Sequence, residues 1–194
     1  MFLRKYLLKQ AIKQNSYFIW KNESKSIQPI KSFKPLNLDL IIGVERQKNI
    51  LLNNTRSFAE GNFTNNALLW GARGNGKSSL IKSVFHEVLS TFKTLKLIQL
   101  NKDNIFDIEF IYQLIGKFTD YRFIIFIDDL SFEKIDSDYK IIKSTLDGSI
   151  QNQPNNILLY VSSNRRHLMP RDMIDNERSS AIHTDESVEE KISL

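Results

Sequence analysis

An α/β fold, with helices layered on a mainly parallel sheet, is what the sequence predicts. Short apolar runs (ALLW, LKLIQL, RFIIFI, NILLYV) alternate with amphipathic stretches, and they are too apolar throughout for strands with one wet face. Strands separated by helices imply parallel pairing with right-handed crossovers. The first of these runs also stops at a glycine-rich loop tipped by a lysine, a feature found at the carboxyl end of a strand in such sheets.

The elements follow in order. Phe2, Leu3, Tyr6, Leu7 and Ala11 recur at helical spacing with lysines on the other side, which predicts a short amphipathic helix over the first dozen residues. SYFIW and KSIQPI flank the polar KNES as a hairpin, and Pro29 marks the second strand as an edge or its end. KSFKPLNLDL reads as a linker. GVERQKNILLNNTRSFAEG carries Ile50, Leu51 and Phe58 and stops at Gly61, so it predicts a helix. ALLW is then a buried strand, Ser78 to about Ser90 a helix, and LKLIQL a strand. DIEFIYQLIGKF is a helix opened by an acidic cap, and RFIIFIDDL a strand. DYKIIKSTLDG is a helix closed by Gly148, and NILLYVSSN the last strand. The chain divides into a basic helix-and-hairpin arm, residues 1–36, and a core of alternating strands and helices, residues 37–194.

With 194 residues, 41% hydrophobic and 25% charged, the composition is that of an ordinary globular domain. The absence of cysteine excludes disulfides and thiolate metal sites. No apolar run is long enough to span a bilayer and the first residues lack a signal-peptide core, which predicts a cytoplasmic protein with no membrane partner. The net charge of +5 is uneven. Residues 1–35 hold eight Lys/Arg against one acid, Glu23, and the remainder sums to −2. Such an arm either keeps a face solvated or meets the phosphates of a nucleic acid.

Gly71, Ala72, Arg73, Gly74, Asn75, Gly76, Lys77 and Ser78 fit the phosphate-loop pattern of two glycines five apart followed by Lys and Ser/Thr. The glycines let backbone amides turn inward, and the start of the next helix, where Ser79 follows, adds its own amides to a nest for oxyanions. A nucleoside triphosphate is the expected ligand, with Lys77 on its β- and γ-phosphates and Ser78 on Mg²⁺. The scaffold is thus that of a P-loop NTPase three-layer sandwich. Hydrolysis also needs acids at a neighbouring strand end. FIIFIDD supplies Asp128, assigned to Mg²⁺, and Asp129, assigned to orienting or deprotonating water. At the tip of the last strand Asn164 can accept from water and donate to phosphate. No Asn-Lys-x-Asp motif for guanine is present, which favours ATP.

With these elements in this order the chain resembles the AAA+ ATPases: GARGNGKS as Walker A, FIIFIDD as Walker B and Asn164 as sensor 1. LIIGVERQKNILLNNT is similar to the segment that lines the adenine pocket there, which implies base contacts from Ile42, Gly43 and Val44. NNALLWGARGNGKSSL, FIDDLSFE, YVSSNRRHL and EEKISL are similar, over about residues 17–194, to a bacterial AAA+ subfamily known only as a domain of unknown function. The resemblance implies ATP and ADP as ligands, Mg²⁺ as cofactor, assembly of several copies, and remodelling of an unknown protein target.

Two departures from the family pattern matter. Walker B here is Asp-Asp where many members have Asp-Glu, and Glu133 is the substitute base nearby. The chain ends at EEKISL, where the resemblance implies an arginine finger, a fifth core strand and a helical lid. The expectation is therefore a shortened chain whose phosphate-loop strand has one unpaired edge. Arg165, Arg166 and Arg178 are the substitutes for the finger, as against ordinary surface charges. Three functions remain open on these grounds: an ATPase that remodels a target, an ATP-binding module without turnover, and a nucleic-acid-associated ATPase using the basic arm.

Overall fold

Runs of Ile, Leu, Phe and Val bounded by polar turns form the strands, since such side chains fit a pleated surface covered by helices. The structure, a computed structural model, describes residues 2–130 and 153–164. Strands β1 (Tyr17–Lys21), β2 (Ser26–Pro29), β3 (Ala67–Trp70), β4 (Leu95–Leu100), β5 (Arg122–Ile127) and β6 (Ile157–Ser163) make one sheet. Its order is β2-β1-β4-β5-β6-β3, and every neighbouring pair but the β1–β2 hairpin is parallel. The α-helices among the described residues are α1 (Phe2–Gln14), α2 (Glu45–Glu60), α3 (Lys77–Thr91) and α4 (Ile108–Ile115).

The period-two alternation of the strands sorts the core into two layers. Phe123, Ile125 and Ile127 of β5 and Ile157, Leu159 and Val161 of β6 meet Ile12 of α1 and Ile108, Ile111 and Ile115 of α4. On the opposite face Ile124, Phe126, Leu158 and Tyr160 meet Leu51 and Phe58 of α2 and Ile81, Val84 and Phe85 of α3. The sandwich therefore has three layers, as the sequence predicts.

Four local expectations need correction. ALLW is not a fully buried strand: β3 is half-buried and Trp70 is 46% exposed, because among the described residues β3 pairs only with β6. In α1 only part of the expected stripe docks. Leu3, Tyr6 and Leu7 are exposed, and the body takes up Ile12 with Leu8 and Ala11, since the docked face is chosen by the hairpin and sheet below it. Ile50 likewise stays partly exposed, whereas Leu51, Thr55 and Phe58 line the buried face of α2. Finally, Asp107 stands at the start of α4 without a side-chain cap bond. Its carboxylate instead accepts from Trp20 Nε1 at 2.8 Å and pairs with Lys25 Nζ at 2.6 Å, tying the hairpin to the turn before α4.

The hairpin and linker are joined to the body. β1 runs parallel to β4, with Phe18 opposite Ile98, so the hairpin continues the sheet. The Tyr17 ring stacks on Phe33 at 4.0 Å, Ser83 Oγ of α3 donates to Leu36 O at 2.7 Å, and a 3-10 turn follows at Leu38–Leu40. Gly61, at φ +99°, ends α2 in the left-handed conformation that a glycine adopts without strain. The helix DYKIIKSTLDG lies outside the described residues.

A buried polar chain fixes α2 to the sheet. Tyr160 Oη and Thr55 Oγ1 are 2.8 Å apart, Asn54 Nδ2 donates to Tyr160 Oη at 3.1 Å, and Thr55 Oγ1 donates to Leu51 O. Burial pushes the Tyr160 phenol from 10.0 up to about 12, partly offset by those hydrogen bonds. Burial also raises Tyr17 to about 12 and pushes Tyr112 upward. A raised phenol keeps its proton in the folded chain while the unfolded chain loses it, so the contribution is full below about pH 10 and falls as pH rises toward 12. The urea midpoint is expected to decline across that window, and more shallowly in Tyr160→Phe. Equal declines in parent and variant would remove Tyr160 from the account.

Candidate functional site

The parallel register brings three strand ends to one level, with Trp70 of β3 opposite Ser163 of β6 and Ile127 of β5 opposite Val161. Polar residues that directly follow β3 and β5, or close β6, must therefore converge there. After β3 the loop turns through Gly71 (φ +152°), Gly74 (φ +86°) and Gly76 (φ +74°), conformations that favour glycine. The Gly71 amide donates to Ser163 O at 3.3 Å, which docks the loop on β6.

The loop feeds straight into α3. Its N-cap is Gly76, with no side-chain cap bond and no acid in the first turn. The leading amides of a helix lack intrahelical partners and carry the positive end of its dipole, so this terminus suits an oxyanion. Ala72, Arg73, Gly74, Asn75 and Gly76 are exposed, whereas Gly71, Lys77, Ser78 and Ser79 are half-buried.

One hydrogen-bond network joins the three strand ends. Lys77 Nζ donates to Gly71 O (2.8 Å), Ala72 O (2.9 Å) and Asn164 Oδ1 (3.0 Å). Asn164 Nδ2 donates in turn to Asp129 Oδ1. Ser78 Oγ donates to Asp128 Oδ1, and Ser162 Oγ donates to the same oxygen at 2.6 Å. The Asp129 amide donates to Ser162 Oγ at 2.9 Å, with Asp129 itself at φ +53°. Ser162 and Ser163 also hold the chain beyond β5. Leu130 N–H donates to Ser162 O at 2.8 Å, and Ser163 Oγ donates to Leu130 O at 2.7 Å.

Of the residues singled out from the sequence, Gly71, Ala72, Lys77, Ser78, Asp128, Asp129 and Asn164 thus meet in this network. Ile42, Gly43 and Val44 do not join it. They precede α2, where Gly43 (φ +83°) donates its amide to Glu45 Oε1 at 3.1 Å and Ile42 is 82% exposed. Glu133, Arg165, Arg166 and Arg178 lie outside the described residues. Sequence reasoning passed over Ser162. The signal was there: Ser162 stands two residues before Asn164, and residues i and i+2 of a strand share a face. Among the described residues no cluster of three His, Asp or Glu side chains could hold a metal by itself, and no helix is long and apolar enough to cross a membrane.

Residues 13–194 match the family described as "Protein of unknown function (DUF815)". No curated protein matches the chain. Among solved structures, the E. coli MS115-1 HORMA:CdnC:Trip13 complex is similar with a TM-score of 0.51 at 9% identity, covering 74% of this chain and 64% of that one. The Thermotoga maritima RuvB Holliday junction branch migration motor is similar at 20% identity and TM-score 0.48, covering 73% and 45%. C. elegans PCH-2 is similar at 15% identity and TM-score 0.48, covering 73% and 42%. The chain spans less than two thirds of each of these structures, and at 9% identity the likeness to the first is one of fold. The match over nearly its whole length places this chain in the DUF815 family, with a fold similar to that of the AAA+ ATPases.

Proposed function

We propose that the chain binds ATP at the loop Gly71–Ser78 and hydrolyses it to ADP and phosphate. The AAA+ type of fold implies nucleotide binding, and the observation that carries the reading further is the continuous link Lys77–Asn164–Asp129. It ties the lysine at the start of α3 to a carboxylate just beyond β5, through the tip of β6 between them. Loop amides and the start of α3 receive the phosphates, and Lys77 Nζ turns to the β- and γ-phosphates. Asp129 takes a proton from the attacking water at its carboxylate. The water oxygen bonds to the γ-phosphorus as the bond to the β-bridging oxygen breaks and ADP leaves. Asn164 orients that carboxylate through Nδ2 and faces the lysine through Oδ1.

The residues present also fit Mg²⁺. Ser78 Oγ and Asp128 Oδ1 are hydrogen-bonded neighbours, and a hydroxyl with one carboxylate is the hard oxygen set that this ion takes beside phosphates and water. When bound, Mg²⁺ neutralises phosphate charge. We propose in addition that turnover serves remodelling of a macromolecular target by an assembly of several copies.

Phosphate release by the full chain over a range of protein concentrations, with Mg²⁺ and with excess EDTA, tests this reading. The expected result is release that needs Mg²⁺ and whose specific rate climbs with concentration as copies associate. ATP binding without release at any concentration would leave a binding module in place of an enzyme. Failure to bind ATP would remove the reading altogether.

A further inference from the structure

Ser162 is buried, at 1% exposure, yet its hydroxyl contacts both residues of the Asp128–Asp129 pair. It donates to Asp128 Oδ1 and accepts the Asp129 amide, so a single oxygen fixes one carboxylate and the backbone of the next residue. The second contact bears on an unusual conformation. Asp129 sits at φ +53°, a left-handed value uncommon outside glycine that aspartate and asparagine tolerate best and that hydrogen bonds from neighbours help to hold. With β5 ending at Ile127, the Ser162 side chain takes over the pairing of a backbone amide beyond the last strand residue.

We propose that Ser162 is the positioning residue of this site, which holds Asp128 towards Ser78 and sets the left-handed turn that aims the Asp129 carboxylate at Asn164. The proposal rests on the hydrolytic reading above. Ser78 Oγ and Ser162 Oγ converge on the same Asp128 oxygen from α3 and β6. Loss of either donor frees that carboxylate to rotate, but only Ser162 also controls where Asp129 points. Its role is thus distinct from that of Ser78, which lies on the phosphate side.

Ser162→Ala, Ser162→Thr and Ser83→Ala test the assignment, each beside the parent chain. Ser83 also carries a buried hydroxyl, bonded to Leu36 O away from the acids, and so controls for the loss of one buried hydrogen bond. Ser162→Ala is expected to lower kcat by about ten- to a hundredfold, the scale of a small misplacement of a reacting group, with KM and ATP affinity nearly unchanged. The Asp129 amide should then exchange with solvent faster than in the parent, by NMR. Ser162→Thr, which keeps the oxygen on a β-branched residue suited to a strand, should restore both readouts. Parental kcat and parental Asp129 exchange in Ser162→Ala would overturn the proposal. So would equal losses of kcat in Ser162→Ala and Ser83→Ala, which would mark a structural role. A parent chain that binds ATP and releases no phosphate overturns the hydrolytic reading instead, and the exchange of the Asp129 amide then still decides whether Ser162 holds the turn.

Discussion

Lys77→Ala is expected to weaken ATP binding by about thirtyfold or more, the equivalent of roughly 2 kcal/mol or above for losing a charged partner of a phosphate. The loss has two sources. The variant lacks the cation itself, and it also lacks the donor shared by Gly71 O, Ala72 O and Asn164 Oδ1, which ties the loop to the tip of β6. Calorimetric titration with ATP reads the first source directly. Trp70, half-exposed beside Gly71, makes indole fluorescence a second reporter, since the other tryptophan, Trp20, is 2% exposed in the opposite part of the sheet. Lys77 is not in the apolar core, so the thermal midpoint should move little. Parental affinity in Lys77→Ala would place the nucleotide somewhere other than this loop.

Asp129→Asn should bind ATP within about threefold of the parent and lose turnover by about a hundredfold or more, the usual contribution of a positioned general base. This substitution separates chemistry from structure. Asparagine has the same shape, can still accept from Asn164 Nδ2 through its Oδ1, and is among the residues that best tolerate the left-handed backbone found here. Alanine would alter the turn as well as remove the base. Lys77, Ser78 and Asp128 are untouched by the change, so affinity should survive while steady-state phosphate release falls. Parental turnover in Asp129→Asn would move the base elsewhere, with Glu133 the first residue to replace next.

The layers of this fold were legible because burial on both faces leaves a plain mark. RFIIFI and NILLYV have no polar face to hide, and β5 and β6 lie where such strands must lie. What local pattern did not carry was pairing across distance. ALLW reads like its neighbours, and its exposure follows from its pairing with β6 alone among the described residues, which no residue within it records. In α1, Leu3, Tyr6 and Leu7 share a stripe with Ala11, yet Ala11 docks with Leu8 and Ile12 instead, and only the surface beneath makes that selection. Asp107 has the residue type of a cap, yet Trp20 and Lys25 claim its oxygens from far back in the chain. That the loop and both acids stand together was legible, because sequence pattern places each directly after a buried strand. Ser162 carried a weaker mark, its place two residues before Asn164, because its contacts with Asp128 and the Asp129 amide arise only when β5 and β6 are side by side.

The place of β3 in the sheet bears on how the chain matures as it is made. Its described partner is β6, with Leu68 opposite Val161, so the strand that carries the glycine-rich loop leaves the ribosome long before the strand that anchors it. Contacts of such long sequence separation form slowly, after the loop-closure entropy between them has been met. A nascent chain that has not yet reached Ile157 can build the β1–β2 hairpin and bring β1, β4 and β5 together. It has no Ser163 to dock Gly71 and no Asn164 to engage Lys77. On the proposed reading, competence to hold a nucleotide is therefore acquired only after β6 has been made, when β1, β4 and β5 can already be paired.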